Sequence, residues 1–333
     1  VAVFTEVSRD EASAFVAPLG VGRLTALRGI QAGIENSNFF VDTLDAKGTT
    51  RHWVLTIFER LSFEQLPFYL ELMRHLAQRG IPVPMPQADA GGALLHTLKG
   101  KPAALVDRLP GGHQLAPDVD HCAQVGAMLA RMHEAGHDFG FTQPNLRGLA
   151  WWDETVPLVL PHVSAVQREL LQVELAFQHQ VCGSAAYAAL PRGPIHADLF
   201  RDNVMFEPGG SLEDRGHERL CGLFDFYFAG VDAYLFDIAV CLNDWCIDLS
   251  SGALAEDRAA AFVGAYETVR PLDGNERRLL PALMRAAALR FWISRLWDVH
   301  LPRAAAILKA HDPTHFERVL MARVASPWHG QAA

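Results

Sequence analysis

Ten residues near the middle of the chain carry most of its chemical promise. Ile195-His196-Ala197-Asp198-Leu199-Phe200-Arg201-Asp202-Asn203-Val204 sets carboxylates, an arginine and an amide oxygen in one short stretch, and Gly222-Leu223-Phe224-Asp225-Phe226 adds another carboxylate after the next strand-like run. Phosphoryl transfer to an alcohol asks little covalent help of a protein. It needs a carboxylate to orient the attacking hydroxyl and take its proton, and oxygen ligands to hold Mg²⁺ on the phosphates. The pattern His-x-Asp-x-x-x-x-Asn, followed by a strand-end Asp, supplies those groups. On this reading Asp198 faces the hydroxyl, Asn203 and Asp225 are metal ligands, and Arg201 is a catalytic cation that offsets phosphate charge.

Context narrows the reading. Val204-Met205-Phe206 continues as a strand, and Asp225 is followed by Ala229-Gly230-x-Asp232-x-Tyr234-x-x-Asp237-Ile238-Ala239. Together these segments resemble the catalytic and metal-binding loops of the protein-kinase-like fold, in the form found in the aminoglycoside phosphotransferase and choline kinase branch. The resemblance implies an α+β, two-lobed fold with an N-lobe of antiparallel sheet plus helix and a mainly helical C-lobe. The N-lobe would span 1–107 and end in a hinge; the C-lobe, 108–333, would carry the catalytic loop, metal site and acceptor pocket. ATP and Mg²⁺ are the implied cofactors, with nucleotide between the lobes. His196 and Asp237 become structural residues, Asp237 bracing the catalytic loop.

The elements needed to position these groups are legible. Ser8 with Glu11 three residues on has capping-box spacing and predicts a helix over 8–17. Strand-like runs follow at 22–27, 37–43 and 52–58, then an amphipathic helix over 64–78 that must stop at Gly80 before Ile81-Pro82. Further strands are expected at 93–98 and 103–106, ending at Pro110-Gly111-Gly112. Helices dominate beyond, at 120–134, 163–180 and over most of 255–324, interrupted by a strand-and-loop island at 194–230. In the N-lobe, Gly33, Asn36 and Ser37 fall where the family places its phosphate-covering loop, and Leu105, Val106 and Arg108 fall at the adenine hinge. One departure is plain: where the family commonly has Lys or Arg in the third strand, this chain has Thr56, with Arg60, Lys101 or Arg201 as possible replacements.

Whole segments sharpen the resemblance. Glu35-Asn36-Ser37-Asn38-Phe39-Phe40, Val54-Leu55-Thr56-Ile57-Phe58-Glu59, Arg79-Gly80-Ile81-Pro82-Val83-Pro84, Asp225-Phe226-Tyr227-Phe228-Ala229 and Asn243-Asp244-Trp245-Cys246 are similar to the homoserine kinases of that branch. This implies L-homoserine as the small-molecule acceptor, on a route toward threonine, and makes Thr56 a trait of the subgroup. A zwitterion with a primary hydroxyl needs a cation for its carboxylate and an acid or carbonyls for its ammonium. Arg290 or Arg295, on a helix over 284–297, and Asp232 or Asp244 are the candidates. Choline, aminoglycoside or hydroxylysine acceptors stay open, as does a non-catalytic nucleotide-binding module.

Other classes are disfavoured. A net charge of -9 with no basic run argues against nucleic acid and anionic membrane partners. Five scattered cysteines without a C-x-x-C pair fit reduced thiols, and the N-terminal residues lack a signal-like pattern, so the chain is read as cytoplasmic. His133-Glu134-Ala135-Gly136-His137 spells the zinc-protease signature, but Gly136 and the following Asp138-Phe139-Gly140 should end the helix before the second histidine can share a face with the first. Asp138-Phe139-Gly140 copies a kinase metal triplet, yet it precedes the catalytic loop, which leaves Asp225 as the better ligand.

Overall fold

Ser8 caps the first helix in the reciprocal manner its spacing predicts. Its hydroxyl accepts the Glu11 N–H, and the Glu11 carboxylate receives the Ser8 N–H at 2.9 Å, starting α1 (Arg9–Val16). The computed structural model describes residues 5–30, 36–209, 217–301 and 311–330, and it divides into two units: Val1–Gly111 with Cys221–Phe224, and Gly112–Leu220 with Asp225–Ala333.

In the first unit α1 is followed by β1 (Arg23–Gly29), β2 (Asn36–Leu44), β3 (Thr50–Phe58), α2 (Leu66–Gln78), β4 (His96–Leu98) and β5 (Lys101–Asp107). The strands form one antiparallel sheet in the order β1-β2-β3-β5-β4. Strict alternation along β2 buries Phe39 and Val41, which meet Leu55, Ile57 and Leu105 of the neighbouring strands and Ala12, Phe15 and Val16 of α1. Burying each of the larger side chains stabilises the unit by roughly 1.5–3 kcal/mol. The alternation also buries Thr43, whose hydroxyl donates to the Val21 carbonyl at 2.6 Å and accepts the Trp53 indole N–H at 2.9 Å. Gly80 ends α2 by taking φ 80°, a left-handed conformation that costs glycine little. The strand expected over 93–98 is shorter, because Asp89 folds the preceding chain into a turn by accepting the N–H groups of Gly91 and Ala93 at 2.8 and 3.0 Å.

The second unit runs β6 (Gly112–His113), α3 (Val119–Gly136), α4 (Leu149–Val159), α5 (Ala165–Cys182), α6 (Ala185–Ala188), β7 (Arg192–Ile195), β8 (Val204–Pro208), β9 (Glu218–Leu223), β10 (Gly230–Ala233), α7 (Tyr234–Trp245), α8 (Glu256–Glu267), α9 (Gly274–His300) and α10 (Thr314–Ala325), with the last residues of β9 counted in the first unit. The island predicted over 194–230 is the ribbon of β7 with β10 and the small sheet β6-β8-β9. Every residue of α7 is buried, and both it and α10 pack on α9. Helices α3 and α8 approach so closely that a Cβ at Gly126 would run into the Phe262 carbonyl. Among the described residues no helix is long and apolar enough to cross a membrane.

Candidate active site

The segment that follows β7 leaves the strand through a backbone conformation that its own residues would not choose. Ala197 sits at φ 63°, in the left-handed region, at a cost on the order of 1 kcal/mol or more. Asp237, fully buried on α7, holds it there: one carboxylate oxygen accepts the His196 N–H at 2.8 Å and the other accepts the Ala197 N–H at 2.8 Å. A further donor reaches the same carboxylate, since His133 Nε2 lies 3.1 Å from Asp237 while His133 Nδ1 meets the Tyr266 hydroxyl at 2.8 Å. Burial opposes the charge on Asp237, but the His133 and His196 interactions outweigh it and hold the carboxyl below its usual value. Burial also pushes His133 down, so a neutral imidazole donating to an ionised Asp237 satisfies the pair.

Asp237 thus ties α7 to the backbone of His196 and Ala197, and His133 has hydrogen-bond partners on both ring nitrogens. The α3 helix does reach Gly136, but His133 is fully buried whereas His137 is exposed beyond the helix end. His196 is buried against the Phe226 ring, with centroids 4.5 Å apart.

Asp198 follows immediately, with its side chain only 16% exposed. Burial pushes its carboxyl well above the ordinary range; Asp225, Asp202 and Asp244 add to that rise and Arg290 opposes it. Arg290 Nη1 stands 3.8 Å from Asp198 Oδ1. The single turn Arg201–Asn203 brings Asn203 back toward Asp198, and its Nδ2 donates to the Asp198 carbonyl at 2.8 Å. That bond engages the amide's donor, and Oδ1 is its acceptor oxygen. Asp225 takes a left-handed conformation, φ 66° and ψ 57°, between β9 and the short turn Phe226–Phe228. Left-handed non-glycine backbone thus occurs next to one of these acids and at the other, the kind of strain that sites impose.

The donor set fits a divalent cation. The Asp225 charge adds to the rise at Asp198, and a carboxylate and an amide oxygen are both hard ligands. Among the described residues no group of three or more His, Cys, Asp or Glu could hold a metal by itself. Such a sparse set suits Mg²⁺, which is usually bound through one or two carboxylates together with substrate phosphates.

Several expected site residues have other employment. Arg201 does not offer a free cation: its N–H and Nε donate to Asp244 Oδ2 at 2.8 and 3.1 Å, Nη1 donates to the Leu115 carbonyl at 3.0 Å, and Nη2 to the Asp244 carbonyl. Arg201 and Asp244 form a buried clasp between the loop and the end of α7, so neither the catalytic role for Arg201 nor the acceptor role for Asp244 is met. Asp232 is likewise committed, accepting from Arg192 at 2.8 Å, Asn145 at 3.0 Å and the Ala233 N–H at 2.7 Å. Arg295 donates to the Asp312 carbonyl at 3.3 Å and stacks on Phe316. Of the acceptor candidates only Arg290 stands beside Asp198 in an ion pair.

In the first unit, Gly33 lies outside the described residues. Asn36 opens β2 opposite Phe58. Ser37, expected near phosphate, is buried, donating to Glu59 at 2.6 Å and accepting the Thr5 N–H at 2.8 Å. Thr56 donates to Asn38 at 2.8 Å, and Lys101 is paired with Glu59. At the expected hinge the Leu105 carbonyl accepts from Gln87 at 2.8 Å, Val106 pairs with Val54, and the Arg108 N–H donates to His52 at 3.1 Å while its guanidinium covers Phe40. The hinge groups of Leu105 and Arg108 are therefore already engaged within this unit.

Sequence reasoning missed the partnership of His133 with Asp237 and Tyr266, and the aromatic faces of Phe228 and Phe291 against Arg290. His133 and Tyr266 lie on α3 and α8, far along the chain from Asp237, and leave no local trace, whereas Phe291 directly follows Arg290 on α9.

Comparison with known proteins places these features in a family. The sequence pattern of the phosphotransferase enzyme family matches residues 26–272. A homoserine kinase of Polaromonas naphthalenivorans (strain CJ2) is 62% identical over 327 residues, covering 98% of this chain and 99% of its own. A homoserine kinase of Cupriavidus pinatubonensis (strain JMP 134 / LMG 1197) is 58% identical over 324 residues, covering 97% and 96%. Among solved structures, the amicoumacin kinase hAmiN in complex with AMP-PNP, Ca²⁺ and Ami aligns with a TM-score of 0.67 at 17% identity, over 96% of this chain and 92% of that one, a likeness of fold.

Proposed function

The chain belongs to the phosphotransferase enzyme family, with its α+β protein-kinase-like fold, and from that membership and its homoserine kinase relatives we infer that it transfers a phosphoryl group from ATP to the hydroxyl of L-homoserine. The observation that carries this reading is the pinned loop: Asp237 fixes Ala197, Asp198 follows, and Asn203 is tied back to the Asp198 carbonyl.

Asp198 orients the acceptor hydroxyl and takes its proton as the oxygen attacks the γ-phosphorus. A new O–P bond forms, the bond from that phosphorus to the β,γ-bridging oxygen breaks, and ADP leaves with the electron pair. The burial that raises Asp198 makes it a stronger proton acceptor than an exposed aspartate, and the Arg290 charge keeps the rise in check. Asn203 Oδ1 and Asp225 would hold Mg²⁺, which when bound neutralises charge on the phosphates. The first unit is the proposed nucleotide-binding part, as the sequence reading expects, with Thr56 in place of the common strand cation.

Coupled ADP release against L-homoserine, choline, hydroxylysine and an aminoglycoside tests the proposal. Turnover with L-homoserine well above the other acceptors supports it. ATP binding with no transfer to any of them would refute it.

A further inference from the structure

We propose that Arg290 selects an amino-acid acceptor by receiving the α-carboxylate of the substrate while Asp198 receives its hydroxyl proton. This rests on the homoserine reading and names the group that reads the acceptor's identity.

The guanidinium lies on α9 with its side chain 4% exposed. Its carbon sits 3.7 Å from the centroid of the Phe291 ring and 4.9 Å from that of Phe228. Aromatic faces hold an arginine by its plane and leave the N–H edges to point elsewhere. One edge points toward the base, since Nη1 is 3.8 Å from Asp198 Oδ1, near enough to feel its charge but too far for a hydrogen bond.

That spacing suits homoserine. A hydroxyl bound to Asp198 would lie about 2.7 Å from the carboxylate. The carboxylate carbon of the same substrate is four bonds from that oxygen, about 4–5 Å away when extended. A cation a few ångströms from the base can therefore be reached by the substrate's own anion without moving the hydroxyl. A buried, planar guanidinium also prefers a two-pronged carboxylate to a lone hydroxyl or ammonium.

The test compares L-homoserine with 3-aminopropan-1-ol, the same molecule without its carboxylate. The readout is the ratio of kcat/KM for the two acceptors in the wild-type chain, in Arg290→Met and in Arg290→Lys. The expected result is a strong wild-type preference for L-homoserine that falls by about 10²-fold in Arg290→Met, since a pocket built to bind a polar group discriminates strongly against a substrate lacking it. Arg290→Lys, which keeps charge but loses the fork, should lie between. A ratio unchanged while both rates fall together overturns the inference and assigns Arg290 to the phosphoryl group or to packing.

Should Arg290→Met fail to fold, inhibition decides with the Lys variant and the wild type. L-2-aminobutyrate, which keeps the carboxylate and lacks the hydroxyl, should compete with L-homoserine far better than 1-aminopropane in the wild type, and this advantage should shrink in Arg290→Lys. An advantage of equal size in both proteins overturns the proposal. A wild-type chain that prefers 3-aminopropan-1-ol defeats the homoserine reading itself and this inference with it, whereas an unaltered ratio in the variants defeats the inference alone.

Discussion

The Asp237 carboxylate receives the Ala197 N–H at 2.8 Å, and through that bond a buried helix sets the left-handed backbone of the residue just before Asp198. The brace is also electrostatic, because the same ionised carboxylate accepts from the neutral His133 imidazole at 3.1 Å with both side chains fully buried. Asp237→Asn keeps the shape but removes the charge and sets its amide donor against one of the two backbone N–H groups that the carboxylate accepts. The expected cost is about 1.5–3 kcal/mol in stability, the range for a hydrogen bond to a charged group, together with a fall in turnover. Urea denaturation and steady-state rates check both, and a variant as stable and active as the parent contradicts the bracing role.

The His133 and Asp237 pair also predicts a direction in pH. His133 is held below its ordinary 6.5 by burial, so between that value and its lower folded value the unfolded chain binds a proton that the folded chain refuses. Stability should therefore decline as pH drops from 7 toward 5, with a contribution of at most about 1.4 kcal/mol per pH unit from this one group. Asp237, held low, contributes stability that is present above about pH 4 and is lost as pH falls through its folded value. Unfolding midpoints for wild type and His133→Gln at pH 7 and 5 measure the first effect. The substitution should flatten the slope, by at most one proton, and an unaltered slope would count against a neutral buried His133.

The Arg201 and Asp244 clasp is predicted to stabilise the fold. Removing either partner leaves a buried charge, and Arg201→Met or Asp244→Asn should each cost about 3–5 kcal/mol. The double variant should lose clearly less than the sum of the two, by roughly 0.5–3 kcal/mol of coupling. Denaturation of all three variants gives the cycle. Strict additivity would deny the pairing.

Asp225 is predicted to act through the metal. Asp225→Asn should raise the Mg²⁺ concentration needed for half-maximal rate by at least the roughly 10–100-fold that follows from losing even an outer partner of a metal ligand. A Mg²⁺ titration of the rate reads this directly, and an unshifted midpoint would remove Asp225 from the metal site.

Much of this architecture could be read from residue patterns because its signals are local. The Ser8 and Glu11 cap, the alternation along β2 and the stop at Gly80 each arise within a few residues. So did the placement of Asp198, Asn203 and Asp225 on a loop and a strand end. The employment of Arg201 and Asp232 was not legible. Nothing near Arg201 in the sequence announces that Asp244, 43 positions later, will take its guanidinium. The same holds for His133, whose partners Asp237 and Tyr266 lie 104 and 133 positions away. Charge type identifies candidates; tertiary pairing decides which of them remain available to a substrate.

The central claim is that Asp198 is the proton acceptor of the transfer. Asp198→Asn, assayed for nucleotide binding and for ADP release with saturating ATP, Mg²⁺ and L-homoserine, tests it most directly. Nucleotide affinity should stay close to the parent's while turnover falls by roughly 10²–10⁴-fold, as loss of a positioned general base gives. Turnover equal to the parent's would contradict the account.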